Sequence, residues 1–292
     1  MSIDRAILFR MATNTVVEQA VRVLPRGAEL AWRAASRYVA GTAAVDAIRT
    51  AEQLHARGAA TSIDQFGELV DDPRVGDQVT EDYLRLADDL AALPGDAWLA
   101  VDLTHLGLDV DPDGCADRLA AIAQALPPGR RIQIGAEDHA RAEAVLTCVL
   151  DVAGRGMADR LGATAQANLG RTAADVERLL GTGVHIRLVK GAYLESSDHA
   201  LPYGEPTDIA YLRLAYRLAA AGAPFALATH DGVLREALLN ALGPVPVEQL
   251  LGVRPEALDH LLARGVPVRV YIPFGDNWFR YWMRRVAESR GV

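Results

Sequence analysis

From about residue 59 to the end of the chain, short runs rich in β-branched and other apolar residues alternate with longer stretches whose apolar side chains recur every three to four positions. The short runs predict strands at Ala59 to Asp64, Trp98 to Leu103, Arg131 to Gly135, Ala163 to Ala167, His185 to Val189, Phe225 to Thr229, Val245 to Leu250 and Val268 to Ile272; the seventh carries the weakest signal. The longer stretches predict helices at Thr80 to Leu93 with Thr80 as N-cap, Gly114 to Leu126, Ala140 to Gly154, Thr172 to Leu180, Tyr211 to Ala221, Leu234 to Leu242, Pro255 to Arg264 and Trp278 to Glu288. Most strand segments are continuous apolar runs, as expected of a parallel sheet covered on both faces. Eight strand and helix units in strict alternation predict an α/β fold, a closed (β/α)8 barrel of TIM type.

Gly and Pro mark the joins before strands, at Pro94-Gly95, Pro127-Pro128-Gly129, Gly181-Thr182-Gly183 and Gly243-Pro244. No Ser- or Pro-rich linker divides the chain. The sequence therefore divides into a helical N-terminal extension over residues 1–58 and one barrel domain over 59–292.

Composition narrows the function. The 292 residues carry 30 Lys and Arg against 38 Asp and Glu, a net charge of −8, which removes the electrostatic basis for binding nucleic acid. Cys115 and Cys148 are too few for a disulfide framework and lack CxxC spacing, so both read as small buried hydrophobes. No signal peptide and no membrane-spanning run is present, which points to the cytoplasm. The stretch from Ile3 to Leu24 has helical apolar spacing suited to packing or to peripheral contact with the inner membrane face.

In a barrel of this type chemistry collects where the strands end. These ends read Asp64-Gln65-Phe66-Gly67-Glu68, Asp102-Leu103-Thr104-His105, Gly135-Ala136-Glu137-Asp138-His139, Gln166-Ala167-Asn168, Val189-Lys190-Gly191-Ala192-Tyr193, Thr229-His230-Asp231 and Tyr271-Ile272-Pro273-Phe274-Gly275. In RLVKGAY, Arg187 stands in an otherwise apolar strand. An unpaired buried charge costs several kcal/mol, so its guanidinium must meet either an acceptor-rich planar ligand or a core carboxylate such as Glu137. Lys190 and Gly191 then offer a cation and a place of close backbone approach. In the final helix Tyr281, Arg284, Arg285 and Glu288 share one sector, and two guanidiniums there can fork onto a carboxylate or form a solvated basic patch.

The segments RLVKGAY (187–193), ATHD (228–231), VRVYIPFG (268–275) and YWMRRVAE (281–288) resemble, in order and spacing, the signature segments of proline dehydrogenase, the flavin-dependent barrel also found in proline utilisation A proteins. SIDQFGE (62–68) is similar to that family's first-strand segment. The resemblance implies FAD as cofactor, oxidation of L-proline to Δ1-pyrroline-5-carboxylate by hydride transfer to flavin N5, a quinone or other electron acceptor, and a downstream dehydrogenase or hydrolysis for the product. It implies that Arg187 bonds near N5 and Gln166 at the pyrimidine edge. Val189, Lys190, Gly191 and Ala192 would line the ribityl and phosphate path, with Thr229 and His230. Arg284 and Arg285 would clamp the substrate carboxylate, while Leu188, Tyr193, Leu250, Tyr271 and Tyr281 would wall its ring. Glu68 and Arg284 would form an ion-pair gate. No metal is implied.

Several positions depart from the family pattern. Asp102 replaces a Lys that reaches the substrate carboxylate, Gly135 replaces an Asp, Pro246 and Glu248 replace the Glu and Gln of EFQxLxG, and Gly170 stands where many members have Tyr. One unit charge pair at an effective dielectric of ~20 and ~5 Å is worth roughly 3 kcal/mol, so exchanging a cation for Asp102 could move carboxylate binding by several kcal/mol unless Asp102 turns away or pairs with Arg285. Two alternatives follow: a homologue re-targeted to another cyclic or secondary amino acid, and a catalytically lapsed binding protein. A metal-dependent hydrolase using Asp102, His105, His139, His230 and Asp231 lacks HxH or HExxH spacing, and a Schiff-base aldolase would need Lys190 in a dry pocket.

Overall fold

The computed structural model describes residues 27–191 and 193–289; for residues 27, 28, 284 and 286–289 only the backbone is described. The predicted N-terminal stretch Ile3 to Leu24 and Ala192 lie outside these residues.

The strands are β1 (Ala60–Gln65), β2 (Ala97–Val101), β3 (Ile132–Ile134), β4 (Leu161–Gln166), β5 (His185–Val189), β6 (Phe225–Ala228), β7 (Val247–Leu250) and β8 (Val268–Phe274). They form a closed barrel in chain order, every neighbouring pair parallel, with β8 returning to β1 through the register Ser62↔Tyr271 and Asp64↔Pro273. The predicted α/β barrel is the observed fold. Among the described residues two helices precede β1: α1 (Gly27–Ala35) and α2 (Ala44–Ala56). The others are α3 (Pro73–Ala92), α4 (Pro112–Ala125), α5 (His139–Val152), α6 (Thr172–Leu179), α7 (Glu205–Ala220), α8 (Gly232–Leu242), α9 (Pro255–Ala263) and α10 (Trp278–Ser289). None of the described helices is long and apolar enough to cross a membrane.

Several starts differ from expectation. Helix α3 begins at Pro73, where Asp72 caps the first turn by accepting from the Arg74 N–H at 3.0 Å. Thr80 is not its cap: it lies buried inside the helix and donates to the Gly76 carbonyl. Helix α7 starts at Glu205 with Pro206 in its first turn rather than at Tyr211. Both first turns are polar, so no apolar periodicity announces them, and a proline near N1 is the local signal. Strand β2 stops at Val101 because residues Leu103–Leu106 close into a fully buried 3-10 turn.

Asp111, Asp138 and Asp231 cap α4, α5 and α8 just as Asp72 caps α3, each satisfying backbone N–H groups that the first turn leaves open. The helices bury one apolar face against the strands in a single core that includes Cys115, Cys148 and the Ala47, Ala51 and Leu54 face of α2. Both cysteines are free thiols. Helix α1 docks on α10 instead, through Ala31 against Phe279 and Met283, and Trp32 meets Trp278 edge-on at 5.1 Å.

Strand alternation sends every second side chain into the barrel. The floor holds Trp98, His185 and Arg269: the Arg269 guanidinium lies 3.5 Å over the Trp98 ring, and His185 meets that ring edge-on at 5.0 Å. Burial, and then the charges of Arg131, Arg269 and Arg187, push His185 down to about 3. A histidine kept neutral in the fold takes up its proton only on unfolding, so the stability it supports is complete above its unfolded pKa of 6.5 and is lost as pH falls below it. Buried His105 and His230, each pushed down to about 4, act with the same sign. The protein is therefore expected to lose several kcal/mol between pH 6.5 and 4, and His185→Asn to flatten that slope, as read from melting temperatures across the pH series.

Candidate active site

The inward-facing residues at the C-terminal rim follow from the same alternation. They are Asp64 on β1, Asp102 and Gly135 just beyond β2 and β3, Gln166 on β4, Val189 on β5, Leu250 on β7 and Tyr271 on β8. Leu188 is the exception among the predicted wall residues. It neighbours inward-facing Arg187, so alternation turns its side chain to the helical layer, where it is fully buried in the core.

Helix α10 brings its residues over this rim. The Tyr281 ring lies 5.2 Å from Phe66 and 6.3 Å from Tyr271, which stands on β8. The Arg285 guanidinium lies 4.8 Å over the Tyr281 ring. Arg284 follows on the same helix, and its side chain lies outside the described ones. Tyr271 donates its hydroxyl to Asp64, and burial followed by the Asp64 charge holds that phenol well above its ordinary pKa. Tyr271 is thus a neutral hydrogen-bonding group. Glu68 is exposed beyond β1.

Below the rim Arg187 meets a carboxylate, and it is Glu248 rather than Glu137. Arg187 Nη1 stands 3.8 Å from Glu248 Oε2, while its Nε donates to Thr164 Oγ1 at 3.1 Å. Glu137 instead accepts from the Thr104 hydroxyl at 2.7 Å, and Gln166 donates to the Glu137 carbonyl at 2.8 Å. Lys190 is not an unengaged cation. Its ammonium pairs with Asp208 at 2.6 Å and Asp231 at 2.7 Å. Burial works against the charge, but the two carboxylates together raise its pKa above the ordinary lysine value. Such an ammonium is a poor Schiff-base nucleophile, which needs a depressed pKa.

Around Lys190 the backbone forms a cradle. Gly191 has φ +145°, a conformation that favours glycine, and a Cβ there would fall 2.1 Å from Asn168 Oδ1 and displace that side chain. Asn168 Oδ1 is itself buried with no partner among the described residues. On the next strand end, His230 Nε2 accepts from the Leu250 N–H at 3.2 Å. The neutral ring therefore carries its proton on Nδ1, a buried donor without a partner among the described residues. Burial, then the charges of Arg285, Arg254 and Arg235, keep this ring neutral. Thr229 Oγ1 accepts from the Asp231 N–H. Tyr193 reaches from the segment after β5 back to the Ala136 carbonyl at 2.8 Å, and His199 from that segment stacks on His139 at 3.9 Å.

The two departures on β2 and β3 are coupled in space. A Cβ at Gly135 would lie 1.7 Å from Asp102 Oδ1, so the Asp102 carboxylate occupies the volume that a side chain at 135 would need. Asp64, Asp102 and Glu137 together make this sector of the mouth acidic. Sequence reasoning gave Asp64, Asp208 and Glu248 no role in the site, although counting back by two from Leu250 on β7 reaches Glu248. Among the described residues no group of three or more His, Cys, Asp or Glu could hold a metal ion.

Comparison with known proteins adds the following. The family model described as proline dehydrogenase matches residues 47–292. The proline dehydrogenase of Deinococcus radiodurans is 32% identical, covering 97% of this chain and 94% of its own length. Proline dehydrogenase 1 of Bacillus subtilis is 32% identical over 87% of this chain and 86% of its own. Among solved structures, proline utilization A from Bdellovibrio bacteriovorus, inactivated by N-propargylglycine, superposes with a TM-score of 0.78 at 18% identity, covering 88% of this chain and 32% of that one. A point mutant of proline utilization A from Bradyrhizobium japonicum gives 0.72 at 20% identity, covering 88% of this chain and 31% of that one. This chain spans about a third of those longer proteins, and at such identity they establish the fold.

Burial, then the Asp102 charge, raise Glu137 to about 7. A carboxyl that prefers its proton in the fold supports stability fully below its unfolded pKa of 4.5, and that support is lost as pH rises through 7. Glu137→Gln is expected to remove this loss, worth on the order of 3 kcal/mol, so that variant and wild type diverge in urea midpoint between pH 5 and 8.

Proposed function

This chain belongs to the proline dehydrogenase family, and from that premise we propose that it oxidises L-proline to Δ1-pyrroline-5-carboxylate with FAD as its cofactor. The observation that carries this reading is the Arg187 guanidinium, held inside the barrel by Thr164 and Glu248 directly below a rim of Gln166, Val189, Leu250 and Tyr271. The residues present fit a flavin. Asn168 Oδ1 and His230 Nδ1 are buried polar atoms without partners among the described residues, and Gly191 keeps the intervening backbone bare. Bound against these residues, a flavin would supply a two-electron acceptor for the hydride removed from proline.

The protein's part is to bind, orient and exclude water. Arg187 would donate near N5 and Gln166 at the pyrimidine edge. Val189, Lys190, Gly191 and Ala192, with Thr229 and His230, would follow the ribityl and phosphate groups; Lys190 does so with its charge already shared between Asp208 and Asp231. Arg285 and Arg284 would fork onto the proline carboxylate. Tyr281, Tyr271, Leu250 and Tyr193 would wall the ring and keep the reacting carbon dry, and Glu68 with Arg284 would gate entry. A quinone or another acceptor would reoxidise the cofactor, a cytoplasmic setting with peripheral membrane contact would bring the two together, and the product would pass to a downstream dehydrogenase or hydrolyse.

A second reading rests on Asp102 lying over Gly135: an anion at this rim favours a cyclic or secondary amino acid bearing an additional donor or cationic group. Anaerobic addition of proline to the purified yellow protein is expected to bleach the visible flavin bands. Stronger bleaching by hydroxyproline or pipecolate would select the second reading, and a colourless protein, or one bleached by none of these, would defeat both. Arg285→Met is expected to lower kcat/KM for proline on the order of 100-fold or more, since removing one partner of a buried charged pair costs about 2–5 kcal/mol, while flavin content stays unchanged.

A further inference from the structure

Strand β7 delivers a carboxyl group that the proposed reaction does not use. Glu248 is buried, its side chain only 5% exposed, and its Oε1 has no hydrogen-bond partner among the described residues. Its Oε2 stands 3.8 Å from Arg187 Nη1. These residues lie on β5 and β7, which are not adjacent. The strand between them, β6, places Ala226 beside Arg187, a side chain too short to intervene, so the contact runs through the barrel interior.

Other partners for Arg187 and Glu248 are taken. Arg269, the register neighbour of Glu248 on β8, donates Nη1 to the Thr61 carbonyl at 2.6 Å, pairs with Asp96 and lies over Trp98. Asp64 and Glu137, also buried carboxyls near the rim, are engaged by Tyr271 and Thr104. Burial raises the pKa of Glu248, against the pull of Arg187 and Arg269.

We infer that Glu248 is a positioning residue that fixes the Arg187 guanidinium and, by placing a negative charge inside the barrel beneath the mouth, holds the reduction potential of the bound cofactor down. The inference rests on the flavin reading given above. Its physical basis is that a flavin gains negative charge on reduction, and a neighbouring anion in a low-dielectric interior opposes that gain. Glutamine at this position keeps the shape and an acceptor for Arg187 while removing the charge.

The test is the midpoint potential of the flavin-loaded protein, measured by equilibration with a redox dye at mildly alkaline pH. Glu248→Gln is expected to shift the midpoint to a more positive value than wild type, with kcat changing and KM for proline nearly constant, and Glu248→Asp to stay near wild type. If Glu248→Gln does not fold, Glu248→Ser, also uncharged and small enough to leave room for water beside Arg187, gives the same comparison and should have the more positive midpoint. Flavin-loaded variants whose midpoints do not move, with bleaching by proline intact in the wild type, overturn the inference and leave the proline reading standing. A wild-type chain that takes up no flavin overturns both.

Discussion

A guanidinium inside a closed parallel barrel has little access to bulk water, so the strands themselves must supply most of its partners. Arg187 finds an acceptor in Thr164 on the neighbouring strand and a charge partner in Glu248 across the interior. Because Arg187 neighbours Ala226 and Thr164 in register, the pairing depends on β4, β5, β6 and β7 keeping their alignment. A slip of one residue would turn Arg187 into the apolar layer under the helices and Leu188 into the polar interior. The mouth, and everything set around it, inherits its geometry from this alignment.

The same economy governs the floor and the rim. Arg269 is satisfied by a carbonyl, by Asp96 and by the face of Trp98, and Lys190 by two carboxylates. In each case a charge is held by groups from different elements, which ties neighbouring strand ends together. A buried ion pair of this kind is weak evidence for stability, because desolvation offsets much of the attraction. Its stronger consequence is that each cationic side chain has one place to be.

How far the sequence reveals this depends on which physical signal each residue leaves. The eight strands were legible because buried parallel strands are continuous apolar runs, and β5 is predicted to the residue at His185 and Val189. The rim residues Gln166 and Tyr271 were legible from their places at strand ends, and Leu250 from the resemblance. The starts of α3 and α7 were not, since their opening turns are polar and the local signals, the Asp72 cap with Pro73 and the proline Pro206, are short. Nor was the partner of Arg187: Glu137 and Glu248 are both inward carboxyls by position, and only the barrel's curvature decides which of them reaches across. Lys190 illustrates a further limit, because Asp208 arrives from a helix whose approach no local pattern encodes.

The Asp102 carboxylate lying in the space above Gly135 ties two strands into one unit of heredity. A lineage cannot regain a side chain at position 135 while the aspartate keeps its present rotamer, and exchanging the aspartate alone would leave a gap against bare backbone. A side chain at 135 therefore requires the aspartate to swing to another rotamer, so a change at one position is felt at the other. Substitutions at the two positions are expected to combine non-additively in the shape of this corner.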